Sequence, residues 1–196
     1  MMLAGWFGGF LFLMLVLGDW LHFSSLRASA VRYGCRIARK EDRLPLSVAT
    51  ALARFGDTGL LQLPNGAARR LPDEPHLALR PQRRLRTAWP MKGSIELEAD
   101  GEGTKLVCHK LIPWSSAILT LVWFLTVGIG TVTFAVLYLA DGGLASLTSI
   151  MMGLGILGIG LMVVAFGLIT VAFAYRLEDQ RLTQAYQDLR ASLEQT

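Results

Sequence analysis

The chain has 196 residues, of which 53% are hydrophobic and only 17% are charged; its formal net charge is +4 and its mean hydropathy is +0.44. A soluble domain carries about 25% charged residues, so this composition argues against a freely soluble globular protein and for a membrane protein. The charge is also uneven. Residues 24–113 hold 16 basic and nine acidic residues, a net charge of +7, which marks a basic polar module between apolar segments.

Residues 1–23 form the first apolar segment, which we predict to be a transmembrane helix. Trp6 and Trp20 lie near its two ends, and 14 residues of helix separate the rings by about 21 Å, a spacing that suits two interfacial belts. Asp19 and His22 fall at the C-terminal end of the segment. This position favours solvation by headgroups over a buried functional acid.

A cleaved signal peptide is the alternative for the same segment. Ala28-Ser29-Ala30 has the small-x-small form of a cleavage site, but the first 18 residues contain no Lys or Arg and therefore lack the basic region of a signal peptide. The sequence favours a retained helix, and cleavage stays open.

The polar module, residues 24–113, is predicted to be a small α+β domain with a mainly antiparallel sheet. Period-two alternation and turn residues predict strands at Val31–Ile37, Gly59–Pro64, Ala67–Leu71, His76–Arg80, Arg84–Trp89, Ser94–Ala99 and Thr104–Lys110. A short helix is predicted over Leu46–Arg54, between Pro45 and Gly56. Asn65-Gly66 predicts a hairpin with a type I′ turn, which needs positive φ at both central residues.

Two long apolar runs follow the module, and they predict a transmembrane hairpin. Residues 114–140 and 144–175 contain no charged residue, and each exceeds the roughly 20 residues that cross a bilayer. Residues 176–196 turn polar without Pro or Gly, which predicts that the third helix continues as an amphipathic tail. Its apolar positions are spaced at i, i+4, i+7 and i+11, and they are Leu182, Tyr186, Leu189 and Leu193.

The distribution of basic residues orients the predicted spans. Lys and Arg follow the first span, precede the second and follow the third, whereas the Asp141–Ser146 reversal has none. By the positive-inside rule the N-terminus is outside, and the module and the tail are cytoplasmic. The Arg- and Ala-rich module is typical of bacteria, so we expect a bacterial cytoplasmic (inner) membrane.

Small residues recur every seven positions in the predicted spans, which places them on one slowly drifting helix face. Such a face lets another helix approach closely in lipid. It serves either packing within the hairpin or docking of another membrane subunit, and both stay open. The residues are Ser146, Gly153, Gly160, Gly167 and Ala174 in the third span, with Gly128 and Ala135 in the second.

Basic side chains gather in the second half of the module. They are predicted either to contact anionic headgroups or a partner's carboxylates, or to act only as topology determinants. Because only Trp89 follows the cluster, it lacks the interleaved aromatics of a nucleic-acid site, and no nucleic-acid partner is expected. The residues are Arg69, Arg70, Arg80, Arg83, Arg84, Arg86 and Lys92.

No catalytic, metal or cofactor motif stands out in the sequence. Cys35 and Cys108 are the only cysteines, and in the cytoplasm they would stay reduced. Cys108 and His109 are neighbours on a predicted strand and so point to opposite faces, and a zinc site with Cys35 and His76 would lack a fourth ligand.

We therefore predict a membrane protein with three transmembrane α-helices and a small cytoplasmic α+β module inserted between the first and second helices. The expected function is that of a non-enzymatic interaction or assembly subunit, with the lipid bilayer, other membrane subunits and anionic headgroups as partners and no cofactor. The alternatives are a membrane-surface sensor of anionic lipid or a small acidic ligand, and a membrane-associated enzyme without a recognisable motif.

Overall fold

The computed structural model describes residues 2–71, 75–82, 87–101 and 103–195. The chain divides into two compact units. The first contains residues 1–117 together with Arg176–Thr196, and the second contains Ile118–Tyr175.

Five helices and six strands form the described structure. In chain order they are α1 (Met2–Ser24), α2 (Ala28–Val31), β1 (Cys35–Leu44), α3 (Val48–Ala53), β2 (Leu60–Leu63), β3 (Gly66–Arg70), β4 (His76–Pro81), β5 (Lys92–Asp100), β6 (Gly103–Ile112), α4 (Trp114–Ala140) and α5 (Leu147–Glu194).

The strands of the first unit form one antiparallel sheet in the order β1-β6-β5-β4-β3-β2. Strands β2 to β6 are neighbours in sequence and in space, whereas β1 joins the far edge beside β6. Its first residue, Cys35, pairs with Ile112, the last residue of β6. The antiparallel sheet that the sequence predicts is therefore present.

One face of the sheet forms a hydrophobic core with the end of α5. Leu77, Leu79 and Ile95 from the central strands are fully buried together with α5 residues. The i, i+4, i+7, i+11 series supplies the α5 side of this core, namely Leu182, Tyr186, Leu189 and Leu193 with Ala185. Two ion pairs flank the contact, from Lys110 to Asp179 and from Arg190 to Asp42 at 2.9 Å.

The predicted Asn65-Gly66 hairpin forms, but its turn differs from the prediction. Leu63 pairs with Gly66, so the two-residue loop is Pro64-Asn65. Proline fixes φ near −65° and cannot occupy a type I′ turn. Gly66 is required for space instead, because a Cβ there would collide with the Arg80 carbonyl oxygen.

The prediction of a strand over Val31–Ile37 is wrong at its start. Ala28–Val31 is a helical turn with Val31 buried, and the strand runs from Cys35 to Leu44. Gly34 separates the two elements with φ of 132°, a conformation that favours glycine. A Cβ at Gly34 would also lie 2.7 Å from the Ile112 carbonyl oxygen.

The remaining strand predictions have different outcomes. His76–Arg80 and the pair Ser94–Ala99 with Thr104–Lys110 are confirmed, each within a slightly longer strand. The predicted strand Arg84–Trp89 falls partly outside the described residues, and its described part, residues 87–89, is not a strand. The predicted helix Leu46–Arg54 is present as Val48–Ala53, with the Ser47 hydroxyl accepting a hydrogen bond from the Thr50 N–H at 3.2 Å.

Two of the described helices, α4 and α5, are long and apolar enough to cross a membrane. α5 is one continuous helix of 48 residues without a break where its sequence turns polar at Arg176. The first helix, α1, has 23 residues, and its only acidic residue is Asp19. The long apolar helices support a membrane association, and the third span remains a proposal.

Candidate functional site

The heptad-spaced glycines of α5 lie against α4 within the second unit. A Cβ on Gly153 would lie 2.6 Å from Tyr138 Cε1, and one on Gly160 would lie 2.7 Å from Thr131 Oγ1. A Cβ on Gly167 would collide with the ring of Trp123. Glycine at these positions leaves room for the α4 side chains, as small residues do where two helices pack closely.

The other predicted helix-packing residues have different surroundings. Ser146 is the residue before α5, and its hydroxyl accepts a hydrogen bond from the Ser149 N–H at 3.1 Å, which caps the helix. Ala174 is buried, Ala135 is half-buried, and a Cβ on Gly128 would meet no atom within 4 Å. The structure thus brings only part of the predicted set to the α4–α5 contact.

Two glycines of α5 outside the series face open space. A Cβ on Gly155 or Gly158 would meet no atom within 4 Å. The α5 surface around them is apolar, with Leu154, Ile159 and Leu161 all exposed. This surface is a second small-residue face that the hairpin itself does not use.

Three residues of the predicted basic cluster bind backbone carbonyl oxygens at the end of α1 and in the short segment that follows it. The Lys92 ammonium donates to the carbonyl oxygens of Phe23 at 3.2 Å and of Ala30. Arg80 donates to the Ser24 carbonyl at 2.9 Å, and Arg69 reaches the Leu26 carbonyl at 3.5 Å. The last carbonyls of a helix lack partners within the helix and carry partial negative charge, so cations stabilise this end.

The register of the sheet explains why Arg80 and Lys92 converge on α1. Leu79 and Gly93 are paired and face the α5 core. Arg80 follows Leu79 and Lys92 precedes Gly93, and because neighbouring residues on a strand point to opposite faces, both side chains lie on the other face of the sheet. Of the other predicted basic residues, Arg70 is half-buried, and Arg83, Arg84 and Arg86 lie outside the described residues.

Lys92 is a buried charge, with only 5% of the residue exposed. Burial lowers the pKa of its ammonium to about 8, and the negative charge of Asp19 partly opposes this shift. The Phe23 ring lies 4.2 Å from the ammonium, a distance at which the ring face attracts a cation. Lys92 therefore holds the end of α1 on the sheet.

Asp19 joins the end of α1 to the start of α4. One of its carboxylate oxygens accepts hydrogen bonds from the Ser115 N–H at 3.0 Å and from the Ser115 hydroxyl at 2.5 Å; the other accepts the Tyr33 hydroxyl. Since α4 begins at Trp114, the Ser115 N–H has no partner within the helix, and Asp19 caps that end. The hydrogen bond to Asp19, with burial and the carboxylate charge, raises the pKa of Tyr33 to about 12.

A small cavity of about 20 Å³ lies beside the contacts that Arg80 and Lys92 make with the end of α1. Phe23 and Ser24 of α1, Arg80 and Lys92 of the sheet, and Glu178 and Arg181 of α5 line it. Glu178 is buried and accepts hydrogen bonds from the Thr87 N–H at 3.3 Å and from Arg181 at 3.0 Å. The sequence analysis did not place Glu178 or Arg181 in a site, and it used the basic residues after the third span only to orient the helices.

His76 occupies a second polar cluster on the same face of the sheet. Its Nε2 lies 2.9 Å from Arg32 Nη2 and 3.2 Å from Glu96 Oε1. Burial would raise the pKa of the Glu96 carboxyl, but the hydrogen bond from His76 and the nearby positive charges outweigh it, so this pKa is lowered.

The two cysteines are far apart, and Cys108 is buried. Cys35 pairs with Ile112, four residues beyond Cys108 on β6, so the two cysteines are about 13 Å apart, and a disulfide needs less than about 7 Å. Burial raises the pKa of the Cys108 thiol to about 11, which keeps it protonated. Within the part of the chain that the structure describes, no three His, Cys, Asp or Glu residues are arranged to hold a metal ion.

In comparisons with known proteins, no family model, no curated protein and no solved structure matches this chain.

Proposed function

We propose that this chain is an integral membrane protein in which α1, α4 and α5 hold the sheet module at the membrane surface. In this proposal it acts without catalysis, as an interaction or assembly subunit of a membrane complex. The membrane is a bacterial cytoplasmic membrane with the N-terminus outside, in keeping with the basic residues that flank every apolar helix on the module side.

The observation that carries the proposal is the composition of the core in the first unit. Leu106, which precedes the hairpin in sequence, and Leu189, which follows it, belong to the same buried cluster. A chain that crosses a bilayer through α4 has to cross back through α5 for this core to form. The Asp19–Ser115 hydrogen bonds also place the end of α1 beside the start of α4, as expected for two helices that enter the bilayer together.

The partner surface that we propose is the open face of α5 around Gly155 and Gly158. The heptad glycines are occupied by α4, so they support the hairpin and leave no room for another helix. The open glycines allow a helix of another subunit to approach closely, and in lipid such van der Waals contact drives association.

The test is extraction of the full chain at native expression level in mild detergent, followed by native mass measurement and identification of co-purifying chains. We expect a stoichiometric assembly that Gly158→Ile disrupts. The matched control is Leu139→Ile, since Leu139 is also an exposed apolar residue but lies on α4, outside the proposed α5 face. A wild-type chain that purifies alone would refute the assembly role, and normal co-purification of Gly158→Ile would refute this docking face.

A further inference from the structure

The cavity beside Lys92 lies where the apolar helices become polar. It is lined by Phe23 and Ser24, the last residues of α1. It is also lined by Glu178, three residues after the last residue of the uncharged run in α5, Tyr175. A bilayer that holds these helices has its headgroup layer at this level of the chain.

Positive charge dominates the lining of the cavity. Arg80, Lys92 and Arg181 are cationic, and Glu178 is the one acidic residue among the described residues that line the cavity, so these four residues together carry a net charge of +2. The Glu178 carboxylate already accepts hydrogen bonds from Arg181 and from the Thr87 N–H. An anion in the cavity would therefore meet guanidinium and ammonium donors more than carboxylate oxygen.

The size of the cavity limits the part of a ligand that enters it. The enclosed space of about 20 Å³ has room for about one water-sized group. With the solvent-open mouth included, the space is about 350 Å³. A phosphate can insert an oxygen into the enclosed part while its substituents stay in the mouth, and arginine suits this group because its planar fork matches phosphate oxygens.

We propose that this cavity binds the phosphate group of an anionic phospholipid. The proposal rests on the membrane topology proposed above, since that topology brings the headgroup layer to Phe23 and Ser24. It gives Arg181, which the sequence did not single out, a role in lipid recognition beside Arg80. Lys92 has two roles, because its ammonium donates to the carbonyl oxygens of Phe23 in α1 and Ala30 in α2, and Lys92 also lines the cavity.

The test uses the full chain in a nonionic detergent and measures its thermal unfolding while one lipid is titrated, because a ligand that binds the folded state stabilises it. We expect tighter binding of phosphatidylglycerol than of phosphatidylcholine with the same acyl chains. Arg181→Gln should weaken phosphatidylglycerol binding about fivefold, the equivalent of about 1 kcal/mol per basic residue at 1.4 kcal/mol per tenfold change. Arg181→Lys, which keeps the charge but lacks the planar fork, should restore only part of the affinity.

Arg43→Gln is the matched control, since its side chain is 82% exposed and it pairs with Asp100, outside the cavity lining. Equal affinity of the wild type for the two lipids would refute the site, as would an equal loss in Arg43→Gln. If inorganic phosphate alone stabilises the wild type as strongly as phosphatidylglycerol, the ligand is free phosphate and the lipid proposal fails. A chain that stays soluble without detergent would instead refute the membrane anchoring itself.

Discussion

Gly160→Ala and Gly158→Ala form a matched pair that tests the α4–α5 packing. Both exchange a helical glycine for alanine, which by itself favours the helix by about 0.5–1 kcal/mol. At Gly158 the new methyl meets no atom within 4 Å, so this gain should remain. At Gly160 the methyl would lie 2.7 Å from Thr131 Oγ1 and 2.9 Å from Thr131 Cγ2.

A shift of the Thr131 side chain away from the new methyl would cost stability. The Thr131 hydroxyl donates to the Val127 carbonyl at 2.8 Å, and breaking such a hydrogen bond costs about 1 kcal/mol. Inserting a methyl into a well-packed contact costs about 1–3 kcal/mol. We therefore expect Gly160→Ala to be less stable than Gly158→Ala by about 1–3 kcal/mol.

The assay is reversible unfolding of the full chain in mixed micelles of a mild detergent and SDS, followed by helical circular dichroism. The difference between the two variants is the informative quantity, because helix propensity contributes equally to both. Equal stabilisation by the two substitutions would refute the packing of Gly160 on Thr131.

Three further predictions concern the first unit. Asp19→Ala should lower the pKa of Tyr33 from about 12 toward 10, which an alkaline absorbance titration of tyrosinate measures; an unchanged titration would contradict the hydrogen bond. Lys92 has a pKa near 8 in the folded chain and an ordinary value of 10.5, so between these values the unfolded chain binds more protons at Lys92, and the contribution of Lys92 to stability should rise with pH across this window. This rise should be smaller in Lys92→Met, and equal pH profiles would contradict the buried charge. Leu189→Ala should cost about 2–5 kcal/mol in chemical denaturation, whereas exposed Gln187→Ala should stay within about 0.5 kcal/mol; equal effects would contradict the core position of Leu189.

The parts of the fold that follow from local patterns could be predicted from the sequence. Ile95 and Leu97 alternate with polar residues because one face of β5 meets the core, and Leu182 to Leu193 repeat with the helical period for the same reason. β1 lacks such a pattern. It is an edge strand with polar side chains on both faces, as edges often are, so its extension to Leu44 leaves no period-two signal.

The polar contacts could not be predicted, because their partners are distant in sequence. Lys92 resembles any surface lysine, yet its acceptors are carbonyls 62 and 69 residues away. The hydrogen bonds of Asp19 could not be predicted for the same reason, since its partner Ser115 is 96 residues away. The prediction of a type I′ turn at Asn65-Gly66 is wrong for a local reason, since the turn lies one residue earlier, at Pro64-Asn65.

The core of the first unit contains residues from both sides of the α4–α5 hairpin, so its parts are synthesised at different times. The sheet can close once Ile112 has been made, because β1 and β6 are its first and last strands. The apolar face that carries Leu77 and Ile95 nevertheless stays uncovered until α5 reaches Leu193, three residues before the end of the chain. Between these events the ribosome makes the whole hairpin. In the membrane topology proposed above, a chain whose hairpin fails to insert and return would present an open apolar sheet face.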